Sequence, residues 1–506
     1  MLWCTLAMMA TTAPNPDIAK DWRNGAVVYQ VFVDRFAPSA DFAAKKALYP
    51  APAMTRTWEE TPKATAYDPK IKTYPHVLEF WGGDLPSLRG RLDYITKLGA
   101  DVVYLQPIFK APSNHKYDTE DYFAVDPQYG SMADLKGLMK DVHSSKMRLM
   151  LDGVFNHVGV TSPGFVAARK NPKDPNRDWY FFGKEYAEGY RGWAGVASLP
   201  AWNLENPEVR DYLWGSKNSV VQKYLRDGID GWRLDVAFEL GHEYLRDLTA
   251  AAHRARKGSA VIGEISGYPA DWFPAVDGVF NFSAINIGVE MVSGRISGGR
   301  AGRTYDRMVQ DAGLENLLKS WLVAENHDTP RIASIVPDLA SRKIVTALQL
   351  TLPGSPCIYY GQELGMTGTG DPESRAPMRW DLATAENPNL AWMRKLLDVR
   401  KRYPALKVGQ FTGLETDRLL AFARTTGKVK ESVIVVINPT NETVQETFTT
   451  RIGKLLSWGE LEDTLTGKRI RSITGLLNLT MPPKSTMILV PVADRSSGYS
   501  VYDRID

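Results

Sequence analysis

Asp230-Gly231-Trp232-Arg233-Leu234-Asp235-Val236-Ala237 is the stretch on which the fold turns. It reads as a short buried strand with Trp232, Leu234 and Val236 on one face. Side chains alternate along a strand, so Gly231, Arg233 and Asp235 share the other face. An ion pair inside an apolar barrel is expensive, because desolvation can cancel the Coulomb gain. Chemistry explains such a pair more simply than structure does, although a purely structural Arg–Asp pair is the alternative for this segment alone. Three further runs end in the same way. Arg148-Leu149-Met150-Leu151-Asp152-Gly153-Val154-Phe155-Asn156-His157 closes in Asp, Asn and His; Ala260-Val261-Ile262-Gly263-Glu264 closes in a carboxylate; Trp321-Leu322-Val323-Ala324-Glu325-Asn326-His327-Asp328 closes in Asn-His-Asp. Taken singly, each end would more often be a cap or a loop ion pair. Four of them, each after a long amphipathic segment, describe the catalytic rim of one barrel.

The remaining pattern agrees with an α/β fold, a (β/α)8 TIM barrel. Strands are expected at 26–32, 101–106, 148–155, 231–235, 260–264, 278–282, 321–324 and 357–360, alternating with helical segments such as 85–98, 131–145 and 206–227. Asn206-Pro207 reads as cap and first turn, and Gly99 and Gly228 stand where helices must end. The barrel is expected over residues 22–157 and 207–404. The intervening 158–206, rich in Pro, Gly, Trp and Tyr, is too long for an ordinary loop and reads as an inserted subdomain, domain B. From 405 to 492, short alternating runs between turn residues predict a C-terminal antiparallel β-sandwich, followed by a tail at 493–506. Residues 1–21 form an N-terminal segment.

With 506 residues, 44% of them apolar, the chain has room for one large and one smaller domain. A net charge of +3 over this length gives no argument for nucleic acid or membrane binding. Fourteen Trp and 22 Tyr suit carbohydrate stacking without showing it. Cys4 and Cys357 form no metal or redox spacing. The apolar start at 2–10 resembles the tail of a secretory signal and points to a periplasmic or secreted protein, a cytoplasmic one being the alternative. No run approaches the roughly 20 apolar residues of a membrane span.

The four segments resemble, residue for residue, the signature regions of the α-amylase superfamily of glycoside hydrolases. Val28 to Phe36 is similar to that family's first barrel strand. Phe80-Trp81-Gly82-Gly83-Asp84-Leu85 and Asn114-His115-Lys116-Tyr117-Asp118-Thr119-Glu120-Asp121-Tyr122 look most like its neopullulanase and cyclomaltodextrinase branch. The resemblance implies a retaining hydrolase of α-1,4-glucans, with Asp235 as nucleophile, Glu264 as general acid/base and Asp328 as the third carboxylate. In a retaining enzyme the two reacting carboxyl groups stand about 5–5.5 Å apart. Arg233 on the same strand face should favour the charged form of Asp235. Glu264, at the end of an apolar strand near other carboxylates, should keep its proton near neutral pH. His157 and His327 match hydroxyl-binding histidines, and Tyr117 matches the ring that stacks on the sugar being cleaved. Asp152 is expected to orient Arg233 or to be structural. Arg331, Asp371 and Arg375 are expected to touch sugar. The partner is an α-glucan or maltooligosaccharide; neither nucleic acid nor membrane is expected, and the chain should be a monomer.

This sequence departs from the branch in three places: Phe238 stands where Asn is usual, Ile265-Ser266 lacks a Trp, and Leu199-Pro200-Ala201-Trp202-Asn203 replaces Met-Pro-Lys-Leu-Asn. All three are expected on the leaving-group side. The branch's N-terminal β domain and its Asn/Asp-rich calcium loop after Phe36 are not recognisable. Asn156 matches one calcium ligand, but calcium needs six to eight oxygens; no cofactor is required by the reading, and a structural calcium is left open. A glucanotransferase using the same covalent intermediate is the alternative activity, and a catalytically inactive sugar-binding or assembly module is the alternative class.

Overall fold

The alternation around Arg233 is realised as the fourth strand of a parallel barrel. The computed structural model describes residues 17–457, 459–492 and 502–505; the apolar start with Cys4 and most of the 493–506 tail lie outside the described residues. The barrel strands are Val28–Val31, Val102–Leu105, Arg148–Gly153, Gly231–Leu234, Ala260–Gly263, Gly278–Val279, Trp321–Val323 and Ser355–Tyr359. They lie in the order six, five, four, three, two, one, eight, seven. A parallel bridge between Phe280 and Trp321 joins the sixth to the seventh and closes the ring. Each of the eight expected strands is present. The sixth is shorter than expected, because Asn281 accepts from the Ala284 N–H at 3.1 Å and caps the helix Phe282–Val292.

Alternation sorts the strand residues into two cores. Val28, Val102, Tyr104, Met150, Ala260, Ile262, Phe280, Trp321, Val323 and Cys357 fill the barrel interior. Tyr29, Val103, Leu149, Trp232, Leu234 and Val261 pack outward against the helices. The floor of the barrel repeats one device. Asp101, Asp230 and Asp277, each just before an even-numbered strand, accept the backbone N–H of Val27, Leu149 and Val261 on the preceding odd strand at 2.9–3.0 Å. These bonds satisfy donors that the staggered strand ends would otherwise leave unpaired.

Two expected helices are broken. The first divides into Leu85–Arg89 and Leu92–Leu98 around Gly90, a poor helix former. The second divides into Pro207–Arg210, a wide turn at Asp211–Gly215 and Val220–Asp227. There Gln222 donates to the Trp214 and Gly215 carbonyls at 2.9 Å, so its side chain replaces the lost helical bonds. Gly99 (φ 98°) and Gly228 (φ 124°) do end their helices, in backbone conformations that side-chain-bearing residues avoid.

The aromatic side chains of residues 158–206 pack onto the main core. Phe165, Tyr180, Tyr190 and Trp202 meet at centroid distances of 4.9–5.0 Å; a bridge from His157 to Ala201 ties the segment to the rim, and one from Gly192 to Pro200 closes its own turn. The C-terminal region has a six-stranded antiparallel sheet, from Gln410–Leu414 to Arg469–Arg471, and a separate antiparallel pair, Val444–Thr449 with Leu476–Met481. Ile434, Val436, Leu461 and Leu489 of the first pack on Val444, Phe448, Leu477 and Met481 of the second.

Two buried arginines rivet this region to the barrel. Arg424 donates to the carbonyls of Thr351 (2.7 Å) and Gly409 (2.9 Å). Arg400 donates to those of Leu350, Leu406, Gly25 and Gly354 at 2.8–2.9 Å. Arg424→Met should remove the donor to Thr351 and leave unfilled volume, lowering stability by about 3 kcal/mol. Denaturant unfolding of the full chain checks this, and a loss under about 1 kcal/mol would show that other donors take over.

Candidate active site

At the C-terminal ends of the third, fourth and fifth strands, three carboxylates meet one guanidinium. Parallel register places Asp152 beside Arg233, and Leu234 beside Gly263, the residue before Glu264. Arg233 is fully buried. Its Nη1 donates to Asp152 Oδ1 (2.8 Å), Asp152 Oδ2 (2.9 Å) and Asp235 Oδ1 (3.0 Å). Its Nη2 lies 2.7 Å from Glu264 Oε1. Glu264 Oε2 accepts from the Val236 N–H at 3.1 Å. Val236 is a β-branched residue held at φ 46°, a strained conformation of the kind that concentrates at functional sites. Asp152 therefore does orient Arg233, and it is itself fixed by the hydroxyls of Tyr104 (2.6 Å) and Tyr117 (3.0 Å).

A second group comes from the seventh strand and the loop after the eighth. Asp328 pairs with His327 Nε2 at 3.0 Å and with Arg375 Nη2 at 2.9 Å, and its side chain is 49% exposed. Arg375 also lies 3.2 Å from Asp371 and donates to the His327 carbonyl at 3.0 Å. Tyr117 stacks parallel to His327 at 5.3 Å, and its ring centroid lies 5.8 Å from that of His115. His157 reaches within 3.9 Å of Asp235 Oδ2. Asp235, Glu264, Asp328, Asp152, Arg233, Tyr117, His157, His327, Arg375 and Asp371 thus belong to one connected rim.

Arg331 does not. Its guanidinium is fully buried, bonded to Glu325 and the Tyr360 carbonyl at 2.7 Å and to the Ser374 carbonyl at 3.0 Å. It braces the loop that carries Arg375 and is closed off from solvent. The three departures also separate: Trp202 is buried in the core, whereas in Ile265-Ser266 the Ile is buried and the Ser exposed, and Phe238 is 44% exposed. Asn156, which by the resemblance matches one calcium ligand, donates to Glu239 at 3.1 Å. Among the described residues no group of three or more His, Cys, Asp and Glu side chains is placed to hold a metal, and no helix is long and apolar enough to cross a membrane.

Sequence reasoning missed Tyr104, His115 and Trp193. Tyr104 was recoverable, since it shares the inward parity of Val102 on the second strand. Trp193 was not, because nothing local places it over His157, on which it stacks at 5.6 Å.

The charges at this rim shift proton affinities. Burial is the largest influence on Asp235 and pushes its carboxyl well above the usual range; Arg233 pulls the other way, while Glu264, Asp152 and Asp328 add to the rise. The expectation built on Arg233 alone has the wrong sign, because desolvation and three carboxylates outweigh one shared cation. Burial also lowers His157 to about 4, so that imidazole is neutral near pH 7. At Asp328 desolvation opposes ionisation, but His327 and Arg375 outweigh it and hold the carboxyl well below the carboxylate range.

Carboxylates clustered about one arginine at the C-terminal mouth of a parallel barrel, beside aromatic rings and neutral imidazole, define a barrel glycosidase. The chain belongs to the α-amylase family: the family model "Alpha amylase, catalytic domain" matches residues 30–431. It is 34% identical over 488 residues to a cyclomaltodextrinase of Geobacillus thermopakistaniensis, covering 92% of this chain and 76% of the relative. It is 32% identical over 491 residues to neopullulanase 2 of Thermoactinomyces vulgaris, covering 93% and 78%. Among solved structures, the cyclic alpha-maltosyl-(1→6)-maltose hydrolase of Arthrobacter globiformis superimposes with a TM-score of 0.78 at 26% identity, over 95% of this chain and 100% of that one. This chain is an α-amylase-family glycosidase.

Proposed function

We propose that the chain hydrolyses α-1,4-glucosidic bonds of starch-type glucans, maltooligosaccharides or cyclodextrins with retention, Asp235 acting as nucleophile and Glu264 as acid/base. The observation that carries this is the single guanidinium of Arg233 shared by Asp152, Asp235 and Glu264. Arg233 holds Oδ1 of Asp235, which leaves Oδ2 to attack the anomeric carbon. As that bond forms, the Glu264 carboxyl gives its proton to the departing glycosidic oxygen. A water then loses a proton to Glu264, its oxygen bonds to the same carbon, and Asp235 is released as carboxylate. Asp328, His327 and Arg375 bind hydroxyls of the ring being cleaved, Tyr117 covers its face, and Asp371 reaches the neighbouring unit. Such contacts supply rate where they strengthen in the transition state. The named activities of the cyclomaltodextrinase and neopullulanase relatives support this substrate class. In this reading residues 22–157 and 207–404 form the catalytic unit, 158–206 one wall of its cleft, and 405–492 a supporting domain.

The test is initial rates on a cyclodextrin and on soluble amylose, with the anomer of fresh product followed by NMR. Product of α configuration is expected from either glucan. Product of β configuration, or no cleavage of either, overturns the reading.

A pH dependence follows. Asp235 must be charged to attack, and burial raises its proton affinity. The acid limb of kcat/KM should therefore lie above the ordinary Asp value of about 3.9. Asp152→Asn removes one of the charges that raise Asp235 and should move that limb to lower pH. A pH–rate profile with unchanged or raised limb in the variant would contradict this assignment.

A further inference from the structure

Three buried polar atoms near the nucleophile lack a well-formed hydrogen bond. His157 is 1% exposed, and neither Nδ1 nor Nε2 has a partner of good geometry, the Tyr117 backbone being the one group that acts on its ring. The indole Nε1 of Trp193 is buried and unpartnered as well. Trp193 stacks on His157 at 5.6 Å with 29° between the rings. His157 Nε2 in turn lies 3.9 Å from Asp235 Oδ2, the oxygen that Arg233 leaves free. Orphaned buried donors and acceptors are rare, because each carries the full desolvation penalty of the group. Three in one place, beside the reacting carboxylate, call for a ligand with matching groups.

The chemistry of that ligand is restricted. A neutral imidazole offers one donor and one acceptor, and an indole N–H only donates. A sugar hydroxyl, at once donor and acceptor, can accept from the indole N–H and bond an imidazole nitrogen. An apolar group would leave them unpaired, and an anion would be repelled by Asp235.

Trp193 is also held ready. Its backbone N–H donates to the Leu199 carbonyl at 2.8 Å, and its backbone carbonyl accepts from the Val196 N–H at 2.7 Å. Ala194 closes the turn at φ 47°, and the bridge from Gly192 to Pro200 anchors its base. A turn strained in this way is kept only where surrounding structure imposes it.

We propose that Trp193 is a specificity-determining residue of the cleft: its indole N–H donates to a hydroxyl of the glucosyl unit bound over His157, and its ring walls that unit off on the side of residues 158–206. The inference rests on the hydrolase reading above and adds a recognition contact from a segment outside the barrel.

The experiment pairs Trp193→Phe, which keeps a ring and loses the N–H, with singly deoxygenated 4-nitrophenyl α-maltosides. Loss of a hydrogen bond from a site built for it should lower kcat/KM on the parent maltoside by about 10- to 100-fold. One deoxy analogue should be a poor substrate for the parent enzyme yet no worse than the full maltoside for Trp193→Phe, since the bond is already absent. Trp193→His restores an N–H and should recover part of the loss. Thermal melting of each variant separates a folding defect from a recognition defect. The proposal is overturned if Trp193→Phe stays within twofold of the parent, or if it loses the same factor on every analogue. Failure of the parent itself to cleave the maltoside would instead remove the hydrolase reading, and this inference with it.

Discussion

Asp235→Asn is expected to lower kcat on amylose by at least about 10 000-fold, a loss of the size seen when a covalent nucleophile is removed. The amide is nearly isosteric and keeps a carbonyl oxygen for Arg233, so the constellation should stay assembled. It cannot form the glycosyl ester, and it carries no charge to stabilise an oxocarbenium-like centre. Stability should move in the opposite direction. Asp235 is raised in the folded state chiefly by burial, so the folded chain binds more protons there than the unfolded chain. Stability from such a group is fully present below the unfolded pKa and is lost as pH rises through the folded one. The parent thus carries an unfavourable buried charge at neutral pH, which Asn does not. Thermal melts of the two proteins should show the variant equal or more stable at pH 7, with its advantage shrinking toward pH 4. A variant that degrades amylose within tenfold of the parent would remove Asp235 from the mechanism. Equal activity loss with a collapsed melting point would assign it a structural role.

Arg233→Met should be the most damaging substitution in the barrel. The guanidinium is 0% exposed and is the cation shared by Asp152, Asp235 and Glu264. Removing it leaves three neighbouring carboxyl groups without that counter-charge, and breaking a buried pair in this way costs about 3–5 kcal/mol. Activity should vanish with it, since neither Asp235 nor Glu264 would be held or correctly charged. The pH dependence identifies the cause. If uncompensated carboxylates destabilise the variant, acidification lets them take up protons in the fold, and the deficit relative to the parent should narrow from pH 7 to pH 5. If the lost packing of a long side chain were the cause, the deficit would be the same at both values. Arg233→Lys keeps a charge but lacks the planar fork that reaches several carboxylates at once, so it should be intermediate in stability and inactive or nearly so.

Much of this site was legible in sequence because its members stand at strand ends. The parity that puts Gly231, Arg233 and Asp235 on one face is set by the backbone pleat alone, and the structure keeps it, with Trp232 and Leu234 packed outward. The ends at His157, Glu264 and Asp328 were visible for the same reason. Arg331 was misplaced because its motif neighbours are at the rim while its own side chain turns inward to Glu325 and Tyr360. Trp202 was expected in the cleft and is buried, since a departure from a motif marks a position and says nothing about its facing. Strand and helix types and the ends that carry carboxylates depend on local periodicity and turn chemistry, and the sequence alone determined them. The register that sets Asp152 against Arg233, the turn that lays Trp193 over His157, and the upward shift of Asp235 depend on groups far apart in the chain and on their exclusion from water. Those were decided only by the tertiary structure, because burial and charge proximity are properties of the packed molecule and of no segment by itself.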